Sequence, residues 1–128
     1  MLLCYNLSDE RFAAIRLAAM RLKIRLRPVE KAEYARTIGS LCGLTPEEET
    51  VYEGEGFQDE MLVMAHFPAG MMNAFLQSFR RLKIKPVALK AMLTLTNSQW
   101  SSAHLHEEIS SEHEAMMNGG QSIHSQKQ

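Results

Sequence analysis

The side chains best suited to binding chemistry lie where apolar strand-like segments end. The stretch from Lys90 to Trp100 runs out of such a segment into the start of the last predicted helix. Parallel sheets generally place ligands at these carboxyl ends, and the amides of a helix N-terminus favour anions. We therefore predict a ligand or partner end at the strand exits. Its candidate members are Asn6, His66, Lys90, Thr94, Asn97 and Trp100.

Several of these residues also have a structural explanation. Thr96 with Gln99 matches a capping box, and Asn97 is an alternative helix cap. Trp100 suits either covering the sheet end as core or stacking on a ligand. Lys90 is costly inside a protein unless an anionic partner accompanies it. The sequence leaves both interpretations open.

The local motifs of common catalytic mechanisms are missing from the sequence. It contains no GxSxG elbow, no HExxH helix, no GxxxxGK loop and no GxGxxG after a strand. His104 and His106 are two residues apart on a predicted helix, where side chains diverge, and His104 with Glu108 supplies only two metal ligands. We predict no catalytic residues, no metal site and no cofactor, and we favour a noncatalytic protein over an enzyme.

Length and composition indicate one globular domain. A chain of 128 residues with 45% hydrophobic residues can bury its own core. Cys4 and Cys42 lack the spacing of a metal or redox pair, and the N-terminus lacks the pattern of a signal peptide. No apolar stretch approaches the roughly 20 residues that cross a bilayer. We expect a cytoplasmic protein with reduced cysteines and no membrane contact.

The chain repeats itself at an offset of 60 residues. Residues 1–31 align with residues 61–91, and Arg-Leu-Lys-Ile occurs at 21–24 and again at 81–84. Such repetition indicates one supersecondary unit used twice. Hydrophobic periodicity gives each unit the order strand, helix, strand, helix. We predict an α/β fold in which two tandem βαβα units form one four-stranded, mainly parallel sheet; a ferredoxin-like α+β fold with a mixed sheet is the alternative.

The predicted domain covers residues 1–117, and residues 118–128 are predicted to form a flexible tail. The pseudo-repeats are residues 1–43 and 61–117, and the connector between them is residues 44–60. The connector carries seven acids and no base. It is therefore either a solvated linker or a segment that docks on the basic repeats and competes with an anionic partner.

The two return strands differ in character. Arg25 to Arg27 alternates charged and apolar residues, which suits an edge strand. Residues 87–93 are apolar on both faces apart from Lys90, so the second strand pair is predicted to lie deeper. A final helix is predicted from about residue 96 to about residue 117.

The outer side of the first predicted helix is apolar, whereas the same side of its counterpart in the second copy is polar. A helix that is apolar on two sides is usually covered on both. The cover is either the connector or the last helix of the same chain, or a second chain in a homodimer or other complex. The apolar residues are Ala13, Leu17 and Met20, and their counterparts are Asn73, Gln77 and Arg80.

The second copy also carries a specific combination of segments. They are Glu60-Met-Leu-Val-Met, Ala88-Leu-Lys-Ala-Met-Leu-Thr, then Asn97, Trp100 and Glu112-His113-Glu114. In these segments, residues 57–117, about half of the chain, resemble a family of small bacterial proteins known only as a domain of unknown function. The resemblance implies a cytoplasmic bacterial protein, and it transfers no activity, substrate, cofactor or catalytic residue.

The function predicted from these features is a small noncatalytic binding or regulatory module that self-associates, with a small anionic ligand as a further candidate partner. A small enzyme acting on an anionic metabolite is the alternative, and a titratable residue in a closed pocket would distinguish it. Weak nucleic-acid binding ranks third. The basic residues from Arg80 to Lys85 end a helix whose dipole already favours cations, and aromatic residues are not interleaved with them.

Overall fold

The structure is a computed structural model that describes residues 1–126, with the side chains of residues 1–117. Four strands and four helices confirm the predicted α/β class. Single turns of 3-10 helix lie at Lys31–Glu33 and Asn97–Gln99. The strands are β1 (Leu2–Tyr5), β2 (Leu26–Val29), β3 (Met61–Met64) and β4 (Leu89–Met92); the helices are α1 (Asp9–Arg21), α2 (Ile38–Leu41), α3 (Met71–Arg81) and α4 (Ser102–Gln126).

The four strands form one sheet in the order β2-β1-β3-β4. β1 is parallel to β2 and β3 is parallel to β4, because a helical crossover returns the chain in each unit. The central pair, β1 with β3, is antiparallel. The sheet is therefore mainly parallel, as predicted. The two strands of each unit are direct neighbours, which is not the ferredoxin-like arrangement.

The central pair has the register of a local two-fold axis. Leu3 lies opposite Val63, which is its own counterpart at the offset of 60. The pairs on either side are reciprocal. Leu2 pairs with Met64, the counterpart of Cys4, and Cys4 pairs with Leu62, the counterpart of Leu2.

The repeated Arg-Leu-Lys-Ile segment builds the same helix end in both units. Lys23 and Lys83 both have a φ of 58°, in the left-handed region that ends helices. The amides of Ile24 and Ile84 each donate to the carbonyl five residues earlier, at 3.0 Å and 2.8 Å. The identical tetrapeptide thus marks a shared helix-capping motif.

Both faces of the sheet are covered. Alternate strand residues point to opposite faces, so each strand contributes to two cores. α1 and α3 cover one face, while α2, α4 and the connector cover the other. The core under α1 and α3 includes Leu2, Leu62, Ile15 and Phe75; the opposite core includes Leu3, Val63, Tyr34 and Leu105.

Three expectations about the elements need correction or remain open. β2 is an edge strand, as predicted, but β4 is an edge strand too, because the antiparallel contact places both first strands in the centre. The prediction that the second pair lies deeper is therefore wrong for β4. The last helix begins at Ser102, later than predicted, and continues to Gln126. The flexibility of residues 118–128 stays a prediction, and residues 127 and 128 lie outside the described residues.

The acidic connector is docked on the first unit. The Glu48 carboxylate accepts from the amide and the hydroxyl of Thr37 at 2.9 and 3.0 Å. The Tyr52 amide donates to the Ala32 carbonyl at 2.9 Å, and the rings of Tyr52 and Phe57 pack on the α2/α4 core. These contacts favour the docked interpretation over a free linker. Competition with an anionic partner stays a prediction.

Arg11 ties the first unit to the end of the connector and to the second unit. Arg11 on α1 donates to both carboxylate oxygens of Glu60 at 2.9 and 2.8 Å and to the Lys85 carbonyl at 2.6 Å. The hydrogen bond from Arg11 is the main reason that the pKa of Glu60 lies below its ordinary value. The pair is largely shielded from water on the arginine side, so it is stronger than a typical exposed pair.

We expect Glu60→Gln to lower the free energy of unfolding by about 1 kcal/mol at neutral pH. A carboxylate with a lowered pKa stabilises the fold above its unfolded pKa, near 4.3, and loses that contribution as the pH falls through the lowered value. Urea unfolding at several pH values should therefore show a constant difference from wild type above about pH 5.5 that shrinks below about pH 4. The exposed Glu55→Gln is the control. A difference that persists unchanged in acid would contradict this account.

We expect Lys23→Gly and Lys83→Gly to stabilise the protein by about 0.5 kcal/mol each. Glycine removes the left-handed strain of about 1 kcal/mol, while its extra unfolded-state entropy offsets part of the gain. Thermal unfolding of the two variants should show similar upward shifts. Lys31→Gly, at an exposed residue with negative φ, should instead destabilise. Opposite signs at Lys23 and Lys83 would show that the two helix ends are not equivalent.

Candidate functional site

The structure does not bring the six candidate ligand residues together at one end of the sheet. Asn6 follows β1 and His66 follows β3, and these strands run antiparallel. Their exits therefore lie at opposite ends of the sheet. Thr94 follows β4, which is parallel to β3, and so lies at the His66 end. An all-parallel arrangement would have placed every exit on one edge.

Asn6 ties the end of β1 to the connector. Its side-chain amide donates to the carbonyls of Phe57 and Asp59, both at 2.9 Å. Its side-chain oxygen accepts from the Tyr34 hydroxyl at 3.2 Å. The backbone of Asn6 is left-handed, with a φ of 59°, a conformation that asparagine tolerates well. These bonds give Asn6 a structural role.

Asn97 closes the turn between β4 and α4. Its side-chain oxygen accepts from the Thr94 amide at 2.8 Å, and its own amide donates to the Thr94 hydroxyl at 3.0 Å. Its side-chain nitrogen donates to the Met92 carbonyl at 2.9 Å. The expected capping box is wrong, because Thr96 makes no side-chain cap bond and Asn97 holds a 3-10 turn there instead.

Lys90 and Trp100 lie on opposite faces of the sheet. Lys90 pairs in register with Leu62 and shares its face, under α3. Trp100 packs on the α2/α4 core and stacks on His104, with ring centroids 4.4 Å apart. His66 is exposed, with a φ of 61° that matches the backbone of Asn6 at the offset of 60.

The histidines of α4 face different partners. His106 stacks on Phe57 at 3.9 Å between ring centroids and lies 2.8 Å from a carboxylate oxygen of Asp59. His104 lies 3.6 Å from Glu108 in an exposed pair. In the described part of the chain, no three histidine, cysteine or acidic residues are placed to hold a metal ion.

The stack of His106 on Phe57 was not anticipated from the sequence. It continues through Phe57 onto Tyr34, at 4.5 Å between centroids, and so joins α4, the connector and the first unit. These residues are far apart in the chain and carry no local motif. Only the three-dimensional path of the connector brings them together.

The thiols offer no nucleophile. Cys4 and Cys42 are both buried and unpaired, and they belong to the cores on opposite faces of the sheet. Burial raises the pKa of the Cys4 thiol to about 12 and also raises the pKa of Cys42. Both groups are therefore protonated at neutral pH, and a thiol reacts as its thiolate.

The apolar outer side of α1 is uncovered. Leu17 and Met20 are 59% and 58% exposed, and with Ala13 and Arg16 they line a shallow hollow of about 330 Å³. The connector and α4 pack on the other face of the sheet. Cover by these two segments within the chain, one of the two expected explanations, is therefore wrong.

The polar counterpart on α3 is also exposed. Asn73, Gln77 and Arg80 face solvent, as expected for a helix on the surface of a domain. The two helices cover the same face of the same sheet, so their difference is not due to a different depth in the fold. The structure thus sharpens the contrast seen in the sequence.

We expect Asn97→Ala to lower the free energy of unfolding by about 1 to 2 kcal/mol, because the two side-chain bonds, from the Thr94 amide and to the Met92 carbonyl, are lost. Asn97→Asp, which keeps the acceptor but loses the donor, should fall between alanine and wild type. Asn73→Ala on the exposed side of α3 should change stability by less than about 0.5 kcal/mol. Chemical denaturation measures all three. Equal stability of Asn97→Ala and wild type would show that Asn97 is not a structural tie.

None of the helices within the described residues has both the length and the apolarity of a bilayer span. No curated protein and no solved structure matches the chain. The model of a family described as Domain of unknown function (DUF3783) matches residues 60–116, which hold β3, α3, β4 and the first part of α4. The resemblance predicted for residues 57–117 is thereby confirmed, and the second unit of this chain is a match to the domain of unknown function DUF3783.

Proposed function

We propose that this protein is a noncatalytic binding module that self-associates through the outer side of α1. The observation that carries the proposal is the exposure of Leu17 and Met20 on a helix whose opposite side is already buried in the core. Adjacent exposed apolar residues on one helix face favour a protein contact.

The polar outer side of α3 is the comparison that makes the apolar outer side of α1 informative. We attribute the likeness of the two units to an internal duplication. The reciprocal register of β1 with β3 and the matching backbone of Lys23 and Lys83 support it. The residues of two duplicated helices diverge at positions where the surroundings of the helices differ. On the outer side, α3 contacts water and α1 contacts protein in this proposal. This difference accounts for the polar residues on α3 and the apolar residues on α1.

The charges around the apolar patch favour a second copy of the same chain as partner. Glu10 and Arg21 are eleven residues apart, about three helical turns, so they lie on the same flank of α1, on either side of Leu17. In an antiparallel pairing about a two-fold axis, Glu10 of one copy faces Arg21 of the other. The same axis brings the small Ala13 near the long Met20. The face is thus self-complementary, which a two-fold dimer requires.

The chemistry of the remaining side chains supports a noncatalytic role. A cavity of about 340 Å³ is bordered by Asp59 and Glu60, but these carboxylates already pair with His106 and Arg11. The two thiols are buried and protonated. Unpaired cysteines also suit a reducing compartment, and a bacterial cytoplasmic location is part of this proposal.

We expect the wild-type protein to have the mass of a dimer in solution and the Leu17→Asp, Met20→Asp double variant to have the mass of a monomer, because two carboxylates cannot be buried in the contact. Light scattering after gel filtration over a dilution series measures both. The matched control is Asn73→Asp with Gln77→Asp, which adds the same charge to α3 and should leave the dimer intact.

A charge exchange tests the antiparallel pairing. Glu10→Arg alone and Arg21→Glu alone should each weaken the dimer, and the double variant should restore it. Leu17→Gln with Met20→Arg, which copies the residues of α3, should give a folded monomer if the aspartates disturb folding. A wild type that stays monomeric at the highest concentration, or a folded aspartate variant with dimer mass, would refute the proposal.

A further inference from the structure

A cleft between α3 and the edge strand β4 combines apolar walls with two cations. Its volume is about 250 Å³, and its walls include Phe79, Ile84 and Val87. Arg80 and Lys90 also line it. We infer that this cleft binds a small organic carboxylate, with the apolar body on the walls and the carboxylate on Lys90 and Arg80.

The first unit shows what this position holds when it is purely structural. Leu26 pairs with Leu2 in β1–β2 as Lys90 pairs with Leu62 in β3–β4. Leu26 packs against the core under α1. Lys90 thus brings an ammonium group to a register position where the other unit uses a leucine.

Arg80 is the second cation at this cleft, which it lines from the exposed side of α3. Two positive charges therefore border the same cleft of the second unit. A single basic residue there is unremarkable, whereas two that converge on one apolar cleft point to an anion.

Among the side chains of residues 1–117, no carboxylate forms an ion pair with either of these two cations. The Lys90 ammonium donates to the Val87 carbonyl, which occupies one of its three donors. Neither Lys90 nor Arg80 is in an ion pair with any residue whose side chain the structure describes. A partly buried ammonium beside apolar walls is stabilised by an anionic partner. A ligand would supply that partner here.

The shape of the cleft limits the ligand to a small molecule with one anionic end. Its volume lies below the range of about 300 to 1,000 Å³ that is usual for drug-sized ligands. The walls suit a short hydrocarbon or a single ring. A carboxylate matches the ammonium and the guanidinium, which binds carboxylates in a two-pronged geometry. Inorganic phosphate lacks the apolar body that Phe79 and Ile84 would contact.

Titration of the wild-type protein with benzoate, followed by amide NMR shifts, tests the inference. Benzoate should shift signals of β4 and of the end of α3, and neutral benzamide and inorganic phosphate should bind at least about tenfold more weakly, a difference of about 1.4 kcal/mol. Binding of phosphate as tightly as benzoate would show a general anion site and would overturn the carboxylate assignment.

Lys90→Leu is the decisive variant, since it installs the residue that the first unit uses and should keep the fold. It should weaken benzoate binding at least about tenfold, while Lys90→Arg should retain most of it. Arg81→Gln removes one charge from the same helix outside the cleft and should change affinity less than about twofold.

Unchanged benzoate binding by a folded Lys90→Leu variant would overturn the inference, as would the lack of any shift with wild type at millimolar benzoate. If Lys90→Leu fails to fold, Lys90→Gln serves in its place with the same expected loss. The cleft contains no residue of α1, so the Leu17→Asp, Met20→Asp variant should bind benzoate normally. The outcome for the cleft is therefore independent of the outcome for self-association.

Discussion

The antiparallel contact between β1 and β3 is the constraint on which the architecture depends. Each βαβ unit brings its own parallel pair, but the central contact decides how the units meet. It places both first strands in the middle, both return strands at the edges and both helices α1 and α3 on one face. It also sends the two sets of strand exits to opposite ends, so a ligand site shared by the exits of both units is geometrically ruled out.

The central strands have four residues each, and hydrogen bonds and an ion pair reinforce the contacts around them. Arg11 reaches from α1 to Glu60 at the end of the connector and to the Lys85 carbonyl in the second unit, and Asn6 holds the connector at the end of β1. The buried hydroxyls of Tyr5 and Ser102 lie 2.6 Å apart and join β1 to α4. The connector is thus part of the packed structure, which explains why it carries aromatic residues among its acids.

The sequence predicts most of what is local or repeated. Periodicity places the helices, the offset of 60 shows that two units correspond, and the alternation at Arg25 to Arg27 indicates an edge strand. The direction in which the units pair is not encoded in the same way, because a short strand that is apolar on both faces fits a parallel or an antiparallel neighbour equally well. The deep placement expected for β4 fails because β3, rather than β4, pairs with the first unit, which leaves an apolar strand at the edge.

The features of the candidate site can likewise be predicted from the sequence only in part. The apolar side of α1 is visible in the sequence, since it needs only a helix and a counterpart for comparison. The roles of Asn97 and His106 are not visible, because they depend on contacts with a turn and with a distant connector. Lys90 stands out in the sequence, but only the register shows that it replaces Leu26.

The two rims of the sheet have a consequence for assembly. β2 contains Pro28, which has no backbone N–H to offer, and β4 carries Lys90 among only four residues. Short edge strands that contain proline or lysine pair poorly with a strand of another molecule. Growth of the sheet from chain to chain into open-ended fibres is therefore disfavoured at both rims. In the dimer proposed above, the copies would meet through helical surfaces, and a two-fold arrangement stops after the second copy.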